Sequence, residues 1–174
     1  MKILINGIGC VGKSALRKKL SSAFPNNVII VDMNYAKDIP TDTDKVVIVE
    51  ATHSIEEYPQ VFDKILYMLP PKDHTFLLLI RGWVWFSTGL VFLSNPQGKQ
   101  KPFALSNIPV ILRILFRTMF LKKRWVRDDL DLIKKKFESK TYISHAYNEG
   151  YKIMKSWITN YINISDLYTE WSAK

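Results

Sequence analysis

Along the first seventy positions apolar residues come in short, nearly unbroken runs, each closed by glycine, proline or a carboxylate. Residues 2–6 (KILIN) stop at Gly7, residues 28–31 at Asp32, residues 45–49 at Glu50, and residues 64–69 at Pro70-Pro71. Runs this short and this continuously apolar predict strands buried on both faces, as in a parallel sheet. Between the first two runs, Leu16, Leu20 and Phe24 recur at i, i+4, i+8 with lysines among them. That spacing predicts an amphipathic helix over residues 13–24, stopped by Pro25. Toward the other end, residues 142–144 read as a last short strand. Ile153, Trp157 and Tyr161 at four-residue spacing predict a helix over 149–162, packed on the sheet. Strands alternating with helices predict an α/β domain with a mostly parallel sheet.

The pattern changes after Pro71. Residues 75–94 are almost wholly apolar or aromatic, with Trp83, Trp85, Phe86 and Phe92, and carry Arg81 as their only charge. The stretch is close to the ~20 residues of a membrane span. A central arginine costs about 2.5–3.5 kcal/mol on insertion, which favours a buried helix or helix pair instead. A polar, turn-rich stretch follows at 95–106. Residues 108–125 then read as a helix, with Asn107 available as its cap and Pro109 in its first turn. The expected organisation is one domain over residues 1–174, with a helical, aromatic-rich insertion at 72–120 and a basic, lid-like segment at 121–135.

Charge sharpens this division. Residues 1–70 hold eight Lys/Arg and eight Asp/Glu, whereas residues 71–174 hold seventeen against eight, so all of the +9 net charge lies in the second part. No acidic residue occurs between Asp73 and Asp128, a stretch with nine Lys/Arg. Such a field attracts anions: nucleotide phosphates, nucleic acid or an anionic membrane surface reached through the basic 74–127 segment. The aromatic insertion would equally suit an acceptor pocket, a lid or a homodimer interface. A single cysteine and a short N-terminal apolar run that gives way to glycines lead to the expectation of a reducing, cytoplasmic setting.

The first strand runs into Gly7-Ile8-Gly9-Cys10-Val11-Gly12-Lys13-Ser14, the pattern G-x-x-x-x-G-K-[ST]. Glycines let a backbone turn tightly and aim successive N–H groups at a phosphate, and the following helix adds the positive end of its dipole. Lys13 would reach the β- and γ-phosphates, and the Ser14 hydroxyl would bind Mg²⁺. Gly7, Gly9, Cys10, Val11, Gly12, Lys13, Ser14 and Ala15 are therefore the candidate nucleotide contacts. Cys10 sits where a helix N-terminus could lower a thiol pKa, although a small residue at an unconstrained loop position explains it as well.

Gly12-Lys13-Ser14-Ala15-Leu16 resembles the start of a Ras-type GTPase, but neither a D-x-x-G nor an N-K-x-D element occurs anywhere in the chain. A second resemblance survives that scan. The second strand ends Val31-Asp32-Met33-Asn34-Tyr35, the third reads Val47-Ile48-Val49-Glu50, and Lys123-Arg124-Trp125-Val126-Arg127-Asp128 follows later. In this order they resemble the uridine kinase and pantothenate kinase branch of P-loop kinases. That branch has an Asp-x-x-Tyr-like turn, a V-x-E-G third strand and an R-x-x-R-D-like lid. The similarity spans residues 1–70 and 121–135. Ala51 stands in place of the branch's glycine, and residues 72–120 have no counterpart in it.

The resemblance implies a three-layer α/β/α P-loop NTPase fold and an ATP- and Mg²⁺-dependent transfer of phosphate to a hydroxyl of a small metabolite, such as a nucleoside. Asp32 would be the base, with Lys13, Arg124 and Arg127 around the transferring phosphate. Arg113 and Arg117 extend the same helical face as Arg124 and Arg127, where planar guanidiniums could wrap phosphates. Asp32, Tyr35, Glu50, His53 and Arg81 are the candidate acceptor contacts. A polynucleotide or membrane-associated kinase and a non-catalytic nucleotide or GTP switch are the alternatives. Three scattered histidines and one cysteine make no metal site, so Mg²⁺ carried by the nucleotide is the one metal expected.

Overall fold

In the computed structural model, alternate residues of each strand go to opposite faces of one sheet, and each face has its own core. The structure describes residues 1–8, 11–32, 39–40, 43–51, 61–72, 74–76, 79–80 and 108–172. The elements are β1 (Lys2–Asn6), α1 (Lys13–Ala23), β2 (Val28–Asp32), β3 (Val46–Glu50), β4 (Lys64–Met68), α2 (Ile108–Leu132), β5 (Thr141–Ser144) and α3 (Tyr147–Ser172). The five strands form one sheet in the order β2-β3-β1-β4-β5, and every neighbouring pair is parallel. The expected α/β class and parallel sheet are therefore observed.

Strand parity sorts the core. Ile3, Ile5, Val46, Ile48, Leu66 and Met68 meet Leu16 and Leu20 of α1 and Met154 and Ile158 of α3 on one face. Leu4, Val47, Val49, Ile65 and Tyr67 meet Ile133 and Phe137, which follow α2, on the other. Because both faces are covered, strand residues are buried at successive positions, which explains runs without polar alternation. The result is a three-layer arrangement, with α1 and α3 on one side of the sheet and the end of α2 on the other.

The sequence expectations need three corrections here. The α3 stripe is displaced by one residue: Met154 and Ile158 are fully buried, whereas Trp157 and Tyr161 are partly buried at the margin of the same cluster. The helix predicted over 108–125 runs on to Leu132, so the expected lid-like segment is continuous with the helix before it. Beyond Leu132 the chain makes a wide π-type turn (Ile133–Phe137) and a 3-10 turn (Glu138–Lys140) that lead into β5. Third, the burial expected for residues 75–94 fails where it can be seen, since Phe76, Leu79 and Ile80 are exposed. Residues 81–107, including Arg81 and the cap Asn107, lie outside the described residues. Among the described residues no helix is long and apolar enough to cross a membrane.

One buried bond joins α2 to the sheet. The Tyr67 hydroxyl donates to Asp129 Oδ2 at 2.8 Å, with both residues buried. Burial, reinforced by the Asp129 charge and this bond, pushes the Tyr67 phenol well above its ordinary value.

Candidate functional site

At the carboxyl end of β1 the chain turns into α1 through two glycines with positive φ, Gly7 at 137° and Gly12 at 97°. Gly7 is forced by its neighbour as well as by φ: a Cβ placed there would come within 2.5 Å of the Met68 carbonyl oxygen. Its N–H donates to the Asn6 side-chain oxygen. Gly12 occupies the N-cap of α1, and its carbonyl accepts the Leu16 N–H at 2.9 Å, starting the helix without a side-chain cap. Ile8 and Val11 sink into the α1-side core, which anchors the loop from below.

Lys13, the first residue of α1, is buried and folds back over this loop. Its ammonium donates to the Gly7 carbonyl at 2.7 Å and to the Ile8 carbonyl at 2.9 Å. One residue on, the Ser14 hydroxyl donates to Glu50 Oε1 at 2.7 Å. Glu50 is buried at the last position of β3, where Ile5 is its register partner on β1. It has the same parity as Val46 and Ile48 and therefore faces α1. Its second oxygen, Oε2, is buried without a hydrogen bond and forms an ion pair with Arg17 Nε at 3.3 Å. Ser14 is an exposed residue, whereas Glu50 is buried.

Asp32 ends β2 directly in register with Glu50, which puts the backbones of both acidic positions at the same sheet edge as the loop. Ala51 continues the ladder: it is buried, and its N–H donates to the Ile5 carbonyl at 3.0 Å. Gly9, Cys10, Tyr35, His53 and Arg81 lie outside the described residues.

Arg124 and Arg127 stand apart from this cluster. Both are exposed on α2, and both pair with Asp128, Arg124 Nε with Oδ2 and Arg127 Nε with Oδ1, each at 3.6 Å. Two features bring their helix toward the loop's edge. Trp125 and Val126 pack against the same core cluster that contains Ile8, Val11 and Met68. A groove of about 370 Å³ runs between Pro70, just beyond β4, and the α2 residues Lys122, Lys123, Val126, Arg127, Leu130 and Asp131. Arg17 and the Tyr67–Asp129 bond are partners that the sequence reading missed. Arg17 was accessible from spacing, because it lies three residues after Ser14 on one helical face. The Tyr67–Asp129 bond joins residues 62 apart and left no local signal.

Among the described residues no group of three His, Cys, Asp or Glu side chains is placed to hold a metal. The chemistry available at this edge is a buried ammonium, a hydroxyl on an exposed serine bonded to a buried carboxylate, and a helix N-terminus. Groups of this chemistry suit oxyanions and, as oxygen donors, hard cations. No protein-family model matches the chain, and no curated protein matches its sequence.

Proposed function

We propose that the protein is a P-loop phosphotransferase that uses ATP and Mg²⁺ to phosphorylate a hydroxyl of a small metabolite. The observation that carries this reading is the 2.7 Å bond between Ser14 and Glu50 beside Lys13, formed between the ends of α1 and β3. In P-loop enzymes the serine or threonine after the lysine and an acidic residue from a neighbouring strand jointly hold Mg²⁺. Here the donors that would do so are Ser14 Oγ and the Glu50 carboxylate, and both are oxygen ligands of the kind Mg²⁺ takes. With only one or two protein ligands, the ion would depend on nucleotide phosphates for the rest of its shell. When bound, it would neutralise charge on the phosphates.

The chain's own residues have separable roles in this reading. Backbone N–H groups of the 7–14 loop and the N-terminus of α1 bind phosphate oxygens. Lys13, held on the Gly7 and Ile8 carbonyls, turns from them to supply charge to the β- and γ-phosphates. Arg17 orients Glu50 by pairing with Oε2. Asp32, at the carboxyl edge next to Glu50, takes the proton of the acceptor hydroxyl. Arg124 and Arg127 close over the transferring phosphate by a movement of α2 that exchanges Asp128 for the nucleotide.

The test is a coupled assay for ADP release with ATP, Mg²⁺ and a broad panel of hydroxyl-bearing metabolites, run beside Lys13→Ala. Acceptor-dependent ADP release that vanishes in the variant supports the proposal. Nucleotide binding without turnover on any acceptor would leave a binding protein in its place, and a strong preference for GTP would move the reading to a switch.

A further inference from the structure

Three described side chains in the first half of α2, Leu112, Phe116 and Phe120, are exposed at i, i+4, i+8. Phe116 and Phe120 stack on each other with ring centroids 5.9 Å apart, and Phe120 is 73% exposed. Lys123, Arg124 and Arg127 in the second half are exposed too, as is Arg113. At 3.6 residues per turn all seven fall within an arc of about 120°. The opposite arc carries Trp125 and Asp129, which turn inward. The first face carries its exposed apolar side chains toward the N-terminal end, with Arg113 among them, and Lys123, Arg124 and Arg127 toward the C-terminal end, where exposed Asp131 also falls within the arc.

A second exposed apolar group is tied to the same helix. Lys122 Nζ donates to Thr75 Oγ1 at 2.6 Å, which fastens the segment bearing Phe76 to α2. Phe76, Leu79 and Ile80 are all exposed. Asp128 is the first acidic residue after Asp73 and answers both Arg124 and Arg127; with Asp131, four exposed cations of this face (Arg113, Lys123, Arg124 and Arg127) meet two carboxylates, so the face stays positive.

We propose that this face of α2 docks on an anionic lipid surface, with Leu112, Phe116 and Phe120 entering the headgroup–acyl boundary and Arg113 and Lys123 beside them meeting lipid phosphates. The segregation along the helix supports lipid over other occupants. Over the nine residues from Leu112 to Phe120 the apolar stretch is ~12 Å long, which matches the shallow insertion of an interfacial helix laid obliquely. A second copy of the chain would bring like charges together, since the +9 excess lies wholly in residues 71–174. Nucleic acid would use the cations but would give Leu112 nothing to stack on. The chain would then be a peripheral protein, held by apolar insertion plus electrostatic attraction, and its attachment would not depend on the phosphotransferase reading.

The experiment is co-sedimentation of the full-length protein with vesicles of phosphatidylcholine alone and of phosphatidylcholine with about a quarter phosphatidylglycerol. The expected result is binding to the anionic vesicles that is at least ~10-fold tighter than to the neutral ones and that falls as salt rises from about 0.05 to about 0.5 M. Phe116→Ser/Phe120→Ser should weaken anionic-vesicle binding by ~10-fold or more while leaving the far-UV spectrum and melting temperature unchanged, because both rings are already in solvent. Equal binding to both vesicle types, absence of binding, or full binding by the double variant would overturn the proposal. So would a concentration-dependent dimer that the double variant abolishes.

Discussion

The Ser14 hydroxyl donates to Glu50 Oε1 at 2.7 Å, joining two residues 36 positions apart at the edge of the sheet. The bond is possible because Glu50 has the parity of the residues facing α1 and because β3 lies directly beside β1. On the proposed function this pair is the Mg²⁺ site, and it can be separated from its structural role. Glu50→Gln keeps an acceptor for Ser14 but removes the charge. It should weaken Mg²⁺-dependent nucleotide binding by about 10- to 100-fold, the usual cost of losing a carboxylate that supports a metal site. Titration calorimetry with and without Mg²⁺ reads this directly; an unchanged Mg²⁺ dependence would remove Glu50 from the site.

The two positive-φ glycines should differ in what they tolerate. At Gly7 an added Cβ meets a backbone carbonyl oxygen at 2.5 Å, and backbone cannot swing aside. At Gly12 the nearest atom is a Tyr147 ring carbon at 3.3 Å, which can give by a few tenths of an ångström. Gly12→Ala should cost about 1–2 kcal/mol, the general penalty for a left-handed L-residue. Gly7→Ala should cost clearly more, through the clash added to φ. Urea melts of both variants check the order.

Tyr67→Phe removes the hydroxyl that reaches Asp129 and should destabilise by about 1–3 kcal/mol at neutral pH. It should also change the alkaline limb of stability. Because the folded phenol titrates above its ordinary value of 10.0, the fold favours its neutral form. That contribution is fully present below the unfolded value and is lost progressively as pH rises above about 10. The difference in stability between wild type and Tyr67→Phe should therefore shrink above that pH. A difference that stays constant up to pH 11 would show that Tyr67 does not carry this dependence.

An opposite slope is expected at the start of α3. Glu149 accepts bonds from the Tyr142 hydroxyl at 2.8 Å and the His145 N–H at 2.7 Å, which hold its carboxyl below the ordinary range. The resulting stability is present above the unfolded carboxylate value and is lost as pH falls through the folded one. Glu149→Gln should lower the melting temperature at pH 7 more than at pH 3, as read by thermal melts across that range.

Strand positions, the 7–14 loop and the boundaries of α1 were legible in the sequence because each depends on local chemistry: continuous apolar runs, glycines where φ must be positive, a proline after the helix. The α3 stripe was misread by one residue because four-residue spacing of large side chains marks both a core and its margin. Only packing against β4 and β5 decided that Met154 and Ile158 are the core. Phe76, Leu79 and Ile80 were misread because apolar composition alone does not say whether a surface is covered.

What the sequence by itself determined is therefore the alternation of strands and helices, the glycine loop, and the placing of all the excess positive charge after residue 70. Tertiary structure alone decided that β3 lies beside β1, that Glu50 reaches Ser14 and Arg17, and that Tyr67 holds Asp129. It also decided that Leu112, Phe116 and Phe120 share one open face with Lys123 and Arg127. The physical reason is the same throughout. Backbone preferences and periodicity act over a few residues, but strand order and helix docking join residues tens of positions apart, through contacts that exist only once the chain has folded.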